Sequence, residues 1–266
     1  MLEKWLIEAD ELAMRDDVVV VDCRFALADA EEGRRLYTAG HIPGAFYLDL
    51  NRDLSAPVGA HGGRHPLPEP AALQATLAAC GIGPQSRVVA YDDSRFAFAS
   101  RLWWLMRSLG YRPPQLLNGG YKAWLALGTA VETEAPPRQQ AAFTPASMSG
   151  FCDIEGLRQL QAGGALLVDS REAPRYQGLQ EPVDPVAGHI PGAVNHPWMG
   201  VSDESGRMHD LRRQREHWAD SADAEQLVVY CGSGVTACVN LFSLAVLGRD
   251  DAILYAGSWS DWCSYL

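Results

Sequence analysis

The heptapeptide AGHIPGA occupies residues 39–45 and occurs again, unchanged, at residues 187–193. Three further blocks recur around it in the same order: VVVVDCR (18–24) with ALLVDSR (165–171), RVVAYDD (87–93) with LVVYCGS (227–233), and LNGGYKAW (117–124) with YAGSWSDW (255–262). Four blocks in one order at a near-constant offset indicate that a single domain has been duplicated. The period is too long for a solenoid of short repeats.

Each copy has the pattern of an α/β domain. Short apolar runs rich in branched residues, typical of strands that are buried on both faces, occupy residues 18–21, 88–90, 165–168 and 227–230. Helical patterns alternate with these runs, and two of them, at 97–109 and 235–247, end at Gly110 and Gly248. We therefore expect a mostly parallel sheet in each copy, flanked by helices.

The segment between the two copies differs in composition. Residues 132–150 (ETEAPPRQQAAFTPASMSG) are rich in Pro, Ala and Ser and show no clear periodicity, which is typical of a linker. The sequence thus predicts one domain over residues 1–131, a linker over 132–150 and a second domain over 151–266.

Charge and composition exclude several classes of function. The formal net charge is -11, and a general nucleic-acid binder is expected to have a basic patch instead. The N-terminus has no secretory signal pattern, and the longest apolar runs are far shorter than the ~20 residues of a membrane helix. Six cysteines without a C-x-x-C pair predict neither a disulfide scaffold nor a structural zinc site. We expect a cytoplasmic protein that binds neither nucleic acid nor a membrane.

The segment after the predicted strand 227–230 has the composition of an activated-cysteine loop. It reads Cys231-Gly232-Ser233-Gly234-Val235-Thr236 and leads into a helix. Glycines permit a sharp turn in which successive N–H groups converge, and the helix directs its positive end toward the same place. Both effects are expected to lower the pKa of the thiol and to stabilise a thiolate or persulfide. The other cysteines are interpreted as small buried apolar residues, except Cys263, whose position close to the C-terminus allows no assignment.

The matching loop of the first copy contains no cysteine. It reads Asp92-Asp93-Ser94-Arg95-Phe96, and its two carboxylates are expected to repel an anionic substrate. The first copy is therefore predicted to be inactive in this chemistry. His41 and His189, in the repeated heptapeptide, are interpreted as structural residues that bond a buried carboxylate such as Asp22 or Asp169.

Two other functions fit the cysteine loop less well. Residues 232–237 match the dinucleotide pattern G-x-G-x-x-A, but that pattern normally opens a domain and has an acidic residue about twenty positions later. A cysteine phosphatase also places a cysteine in such a loop, but it needs an arginine there to hold phosphate. The loop of this chain contains neither arginine nor lysine.

The chain resembles the tandem-domain rhodaneses and mercaptopyruvate sulfurtransferases. The resemblance is carried by D-x-R with HIPGA in both copies, the Cys231 loop and GSWSDW at 257–262. The resemblance covers nearly the whole chain. It implies two rhodanese-like domains, the first inactive and the second catalytic, with the site in the cleft between them. It also implies that Cys231 is the sulfur carrier and that Ser233 assists proton transfer.

The family resemblance further implies residues that bind the substrate. Arg175 matches a substrate-binding arginine, His65 matches a histidine that faces the site, and Gly232, Gly234, Val235 and Thr236 form the loop around the sulfur. The loop CGSGVTA is similar to that of the mercaptopyruvate branch. Two positions differ from that branch: Asp184 stands where a second arginine is common, and Asn51 lies near the position of an acidic residue.

These features predict a ping-pong sulfurtransferase without metal or organic cofactor. The expected donor is a small anion, 3-mercaptopyruvate, and the acceptor is cyanide, a small thiol or a thioredoxin-like protein. Two alternatives stay open. One is the same mechanism with thiosulfate as the donor, and the other is a persulfide carrier or binding module with little turnover.

Overall fold

The computed structural model describes residues 2–221 and 223–266, which form two compact units. The first unit contains residues 2–56, 68–149 and 204–208, and the second contains residues 57–67, 150–203 and the described part of 209–266. Each unit therefore includes a short segment from the opposite half of the sequence.

The first unit contains a five-stranded parallel sheet in the order β1-β5-β4-β2-β3. The strands are β1 (Leu6–Ile7), β2 (Val19–Asp22), β3 (Phe46–Tyr47), β4 (Val88–Tyr91) and β5 (Gln115–Leu117). The helices are α1 (Ala9–Ala13), α2 (Glu32–Ala39), α3 (Pro70–Ala79), α4 (Ala99–Ser108) and α5 (Gly120–Ala126).

The second unit repeats this topology with the order β6-β10-β9-β7-β8, again with parallel pairing throughout. The strands are β6 (Phe151–Cys152), β7 (Leu166–Asp169), β8 (Val194–Asn195), β9 (Leu227–Tyr230) and β10 (Ile253–Tyr255). The helices are α6 (Ile154–Ala162), α7 (Ala173–Tyr176), α8 (Leu211–His217), α9 (Ala237–Val246) and α10 (Ser258–Cys263). The α/β class and the parallel sheets predicted from the sequence are confirmed.

The four apolar runs became the inner strands β2, β4, β7 and β9. Every residue of β4 and β9 is buried, as expected for strands covered on both faces. The two predicted helices begin later than the sequence pattern, at Ala99 and Ala237. In each case the residues before the helix belong to the loop that follows the strand, and they are not helical.

The repeated D-x-R and HIPGA motifs meet in the same way in both units. Arg24 bonds the Asp22 carboxylate and donates to the carbonyl of Gly40 at 2.7 Å. In the second unit, Arg171 bonds Asp169 and donates to the carbonyl of Gly188 at 2.6 Å. A buried carboxylate needs such a partner, which explains why both motifs recur together.

The expected histidine–carboxylate bonds are not present, so that interpretation was wrong. The Nδ1 of His41 lies 2.9 Å from the carbonyl of Tyr37, and the Nδ1 of His189 lies 2.7 Å from that of Tyr176. Each imidazole also stacks on the ring of that tyrosine, with centroids 3.9 Å and 4.0 Å apart. The histidines are structural, but each bonds a carbonyl at the end of a helix, α2 or α7, rather than a carboxylate. The carboxylates of Asp22 and Asp169 are already neutralised by Arg24 and Arg171.

The segment predicted as a linker lies along the first unit. Its backbone forms a bridge between His41 and Glu132, and the N–H groups of Gln139 and Ala141 donate to carbonyls at the end of α3. Residues 133–149 contain no helix or strand. Among the helices of the described residues, none is long and apolar enough to cross a membrane.

Candidate active site

The loop 231–236 lies between β9 and α9, at the carboxyl edge of the second sheet, where α/β proteins bind ligands. The turn of this loop requires glycine at position 234 for two reasons. The φ of Gly234 is +75°, and a Cβ on this residue would stand 2.2 Å from the carbonyl oxygen of Ala256. The carbonyls of Cys231 and Gly232 accept from Trp259 and Ser260 at 3.0 Å and 2.9 Å. The loop is thus fixed against residues 256–260.

Cys231 has its own backbone partner in that segment. Its N–H donates to the Oγ of Ser258 at 3.1 Å, and this hydroxyl donates to the carbonyl of Tyr255 at 3.0 Å. Ser258 is wholly buried and adopts a φ of +57°, which is uncommon for a residue with a side chain and costs about 1–2 kcal/mol. The hydroxyl compensates by satisfying an amide that burial would otherwise leave unpaired.

The rest of the loop keeps backbone donors near the sulfur. Within residues 2–221 and 223–266, no hydrogen bond uses the N–H of Gly232, Ser233, Val235 or Thr236. Free amides at a strand–helix turn form a site for an anion. This arrangement fits the predicted stabilisation of a Cys231 thiolate or persulfide.

Ser233 and His65 lie together although they are 168 positions apart. The Nδ1 of His65 is 2.8 Å from the Oγ of Ser233, and both side chains are buried. His65 comes from the segment 57–67, which is part of the second unit. A serine hydroxyl bonded to an imidazole can pass a proton to or from a neighbouring group, so the structure brings together two predicted site residues in a useful geometry.

Two arginines stand beside Gly232. A Cβ on this glycine would lie 3.0 Å from the Nη2 of Arg64 and 3.4 Å from both terminal nitrogens of Arg175. Burial lowers the pKa of the Arg64 guanidinium, and negative charge on Cys231 opposes that change. The loop itself contains no cationic residue, and two arginines from other segments supply the positive charge. Arg64 was missed, and its only signal was its position directly before His65.

The two arginines belong to a chain of alternating charges. Asp184, at the position where a second arginine is common in the mercaptopyruvate branch, bonds Arg64 through Oδ1 and Arg175 through Oδ2. Arg175 also bonds Glu181 at 2.7 Å, and Glu181 accepts from Arg171 at 3.1 Å. The chain consists of three arginines and three carboxylates: Asp169, Arg171, Glu181, Arg175, Asp184 and Arg64. Its formal charge is zero.

The equivalent loop of the first unit is already filled by its own carboxylate. The strand register pairs Asp22 with Tyr91 and Asp169 with Tyr230, so Asp92 takes the position of Cys231. The Asp92 side chain is buried and accepts four backbone N–H groups at 2.8–3.1 Å, from Ser94, Phe96, Phe98 and Ala99. In the first unit, therefore, the Asp92 side chain itself occupies the amide-lined loop, in addition to the repulsion expected from the sequence.

The other cysteines lie in different surroundings. Burial raises the pKa of Cys23 well above its ordinary value, and raises the pKa of Cys80 and of Cys152 to about 12. Cys263 is also buried, and its Sγ contacts the carbonyl of Val186 at 3.9 Å. These thiols are therefore poor nucleophiles at neutral pH.

Comparison with known proteins agrees with this description. The family model for the rhodanese-like domain matches residues 6–127 and again residues 154–265. The chain belongs to the rhodanese-like family, and it is an enzyme of the sulfurtransferase class.

Two relatives and one solved structure are similar to the chain over most of its length. The chain is 45% identical to a probable 3-mercaptopyruvate sulfurtransferase of Pseudomonas aeruginosa, over 97% of this chain and 94% of that protein. It is 39% identical to a putative thiosulfate sulfurtransferase of Mycobacterium tuberculosis, over 97% and 94%. A solved 3-mercaptopyruvate sulfurtransferase from Leishmania major superposes with a TM-score of 0.87 at 29% identity, covering 98% of this chain and 75% of that one.

Proposed function

We propose that this enzyme transfers sulfur from 3-mercaptopyruvate to a thiol or cyanide acceptor through a persulfide on Cys231. The observation that carries the proposal is the surroundings of Cys231. The sulfur site is adjacent to free loop amides, to the bonded pair Ser233–His65 and to the guanidinium groups of Arg64 and Arg175. The 45% identity to the probable 3-mercaptopyruvate sulfurtransferase of P. aeruginosa supports the choice of donor.

In the first half-reaction the Cys231 thiolate attacks the sulfur of the donor. The new S–S bond forms as the C–S bond breaks, and the electron pair of the broken bond goes to the methylene carbon as an enolate. A proton delivered through Ser233 and His65 converts the enolate to pyruvate. The loop amides and the two arginines stabilise the negative charge on sulfur and on the donor carboxylate.

In the second half-reaction an acceptor thiolate attacks the outer sulfur of the persulfide. The sulfur moves to the acceptor, and Cys231 leaves as a thiolate, so the enzyme is regenerated without net oxidation. We propose a small thiol or a thioredoxin-like protein as the acceptor and the cytoplasm as the compartment. We retain the division into domains 1–131 and 151–266 with a linker at 132–150, which the two family-model matches support.

Thiosulfate is the second candidate donor, because the M. tuberculosis relative is described as a putative thiosulfate sulfurtransferase. The charge balance beside Gly232 favours mercaptopyruvate. The two arginines beside Gly232 belong to a chain of three arginines and three carboxylates, so a dianion gains less there than it would from unpaired cations. A persulfide carrier with little turnover is the remaining alternative.

The test is to incubate the protein with each donor separately, with cyanide as acceptor and Cys231→Ser as the control. We expect a mass gain of one sulfur, about 32 Da, on the original protein only, with faster turnover on mercaptopyruvate. Faster turnover on thiosulfate would replace the donor and keep the mechanism. A stable persulfide with negligible turnover would support the carrier, and no mass gain with either donor would remove Cys231 as the sulfur carrier.

A further inference from the structure

The first unit contains a cavity of about 520 Å³ that no step of the proposed sulfur transfer uses. Its walls come from α2, β3, α3 and the segment 135–138 between the two copies. The N–H groups of Gln139 and Ala141 donate to the carbonyls of Ala79 and Ala78, so this segment is held against the end of α3. The volume lies in the range of roughly 300–1,000 Å³ that is typical of small-molecule sites.

Two arginines without carboxylate partners line this cavity. Arg34 lies on α2 and Arg138 on the segment between the copies, and both are exposed. Arg35, next to Arg34 on the same helix, bonds Asp29 at 2.5 Å. Among the described residues, no hydrogen bond or ion pair joins Arg34 or Arg138 to a carboxylate. Because guanidinium groups bind phosphate and carboxylate well, two unpaired ones at one cavity favour an anionic ligand.

Aromatic rings form part of the wall. The hydroxyl of Tyr37 donates to the carbonyl of Ala45 at 2.7 Å, and that of Tyr47 donates to the carbonyl of Arg24 at 3.2 Å. Since both hydroxyl protons are used, the two tyrosines present mainly ring carbons to the cavity, as does the half-buried Phe46. Such a wall suits a flat, apolar ligand body.

Asp53 adds an unused hydrogen-bond acceptor. Its Oδ2 accepts from the N–H of Asp49 at 2.7 Å, and its Oδ1 has no hydrogen-bond partner in the part of the chain that the structure describes. A partly buried carboxylate oxygen gains from an N–H or O–H group of a ligand. Cys80 adds no charge, because burial raises the pKa of its thiol to about 12. Two arginines and one carboxylate leave the cavity with a formal charge of +1.

We propose that this cavity binds a small aromatic anion of about the size of a nucleotide. The phosphate or carboxylate of the ligand bonds Arg34 and Arg138, its ring packs against Phe46 and Tyr47, and one of its N–H or O–H groups donates to Asp53. A nucleoside monophosphate and an aromatic carboxylate share this chemistry. A three-carbon acid such as mercaptopyruvate would fill only a small part of the cavity. The first unit then has a binding function of its own.

The experiment is calorimetric titration of the whole protein, without a sulfur donor, using adenosine monophosphate and, separately, indole-3-acetate. Each probe has matched fragments: adenosine and phosphate for the first, indole and acetate for the second. We expect at least one aromatic anion to bind with a Kd of about 100 µM or lower, and its fragments to bind at least about tenfold more weakly. Binding of only one anion identifies the source of the charge as phosphate or carboxylate.

Four variants locate the site. Arg34→Gln and Arg138→Gln each remove one exposed cation and are expected to raise Kd at least about tenfold. Ala79→Leu keeps both cations but fills part of the cavity, so it is expected to weaken binding as well. Arg35→Gln is the matched control and should leave Kd unchanged, because Arg35 pairs with Asp29 and does not line this cavity.

Two results would overturn the proposal: no saturable binding of either anion, or binding that persists unchanged in both Arg34→Gln and Arg138→Gln. The outcome is separate from the proposed function, since the titration does not depend on Cys231. Cys231→Ser is therefore expected to bind the aromatic anion with the same Kd as the original protein.

Discussion

Replacing Gly234 with alanine tests the close approach on which the shape of the cysteine loop depends. The new Cβ would stand 2.2 Å from the carbonyl oxygen of Ala256, whereas carbon and oxygen ordinarily approach to about 3.3 Å. Either the loop or the segment after β10 must therefore move by about 1 Å. The φ of +75° adds about 1–2 kcal/mol of backbone strain for any residue with a side chain.

The expected loss of unfolding free energy is about 2–5 kcal/mol, of which backbone strain contributes about 1–2 and steric displacement about 1–3. A displacement of 1 Å at the loop is expected to lower kcat/KM about 100-fold, because the sulfur no longer lies at the correct distance from its donors. Urea unfolding and donor turnover measure the two effects on the same sample.

Gly248→Ala is the matched control. Gly248 has a φ of +90°, and nothing lies within 4 Å of the Cβ position. This variant is therefore expected to lose about 1–2 kcal/mol from strain alone and to keep its activity. Equal stability losses in the two variants, with turnover retained in Gly234→Ala, would refute the steric reasoning and the fixed position of the loop.

Two further predictions concern groups outside the sulfur site. Asp92→Ala leaves four N–H groups without their acceptor, and three of these bonds are buried. We therefore expect urea unfolding to show a loss of about 3 kcal/mol in the free energy of unfolding. Mass spectrometry should still detect the persulfide on Cys231 in the folded protein. Burial, with a smaller contribution from His196, lowers the pKa of His217 to about 4. The unfolded chain therefore takes up a proton more readily, and about 3 kcal/mol of stability present above pH 6.5 is lost as the pH falls toward 4. Urea midpoints at pH 7 and 4.5 should show this loss, and His217→Gln should reduce it.

The fold was predictable from the sequence because its signals are local and occur twice. The inner strands are continuous apolar runs, which are stable only when they are buried. The strand–Gly–helix pattern around Cys231 identified the loop. The helix starts were less predictable, because the residues between strand and helix are as apolar as the helix itself. In the first unit, for example, Asp92 binds the amides of Phe98 and Ala99 before α4 is established.

The site was only partly predictable, because its charges come from distant segments. Cys231, Ser233 and Arg175 lie on the second half, but Arg64 and His65 reach them from residues 57–67. No periodicity or local spacing relates positions more than 100 residues apart. Asp184 illustrates the difficulty, since the sequence showed only a carboxylate where an arginine is common, and its partner Arg64 lies 120 positions away.

The placement of residues 57–67 in the second unit limits how far the two halves of the chain can diverge in sequence or be separated. A duplicated domain that has no catalytic cysteine is ordinarily free to diverge or to be removed. Here the first half encodes the imidazole that bonds Ser233 and the guanidinium that borders Gly232. The second half, by itself, holds Cys231, the proposed nucleophile, without these two groups. The copies are therefore interdependent, and we expect that the first half cannot be deleted as a separate module.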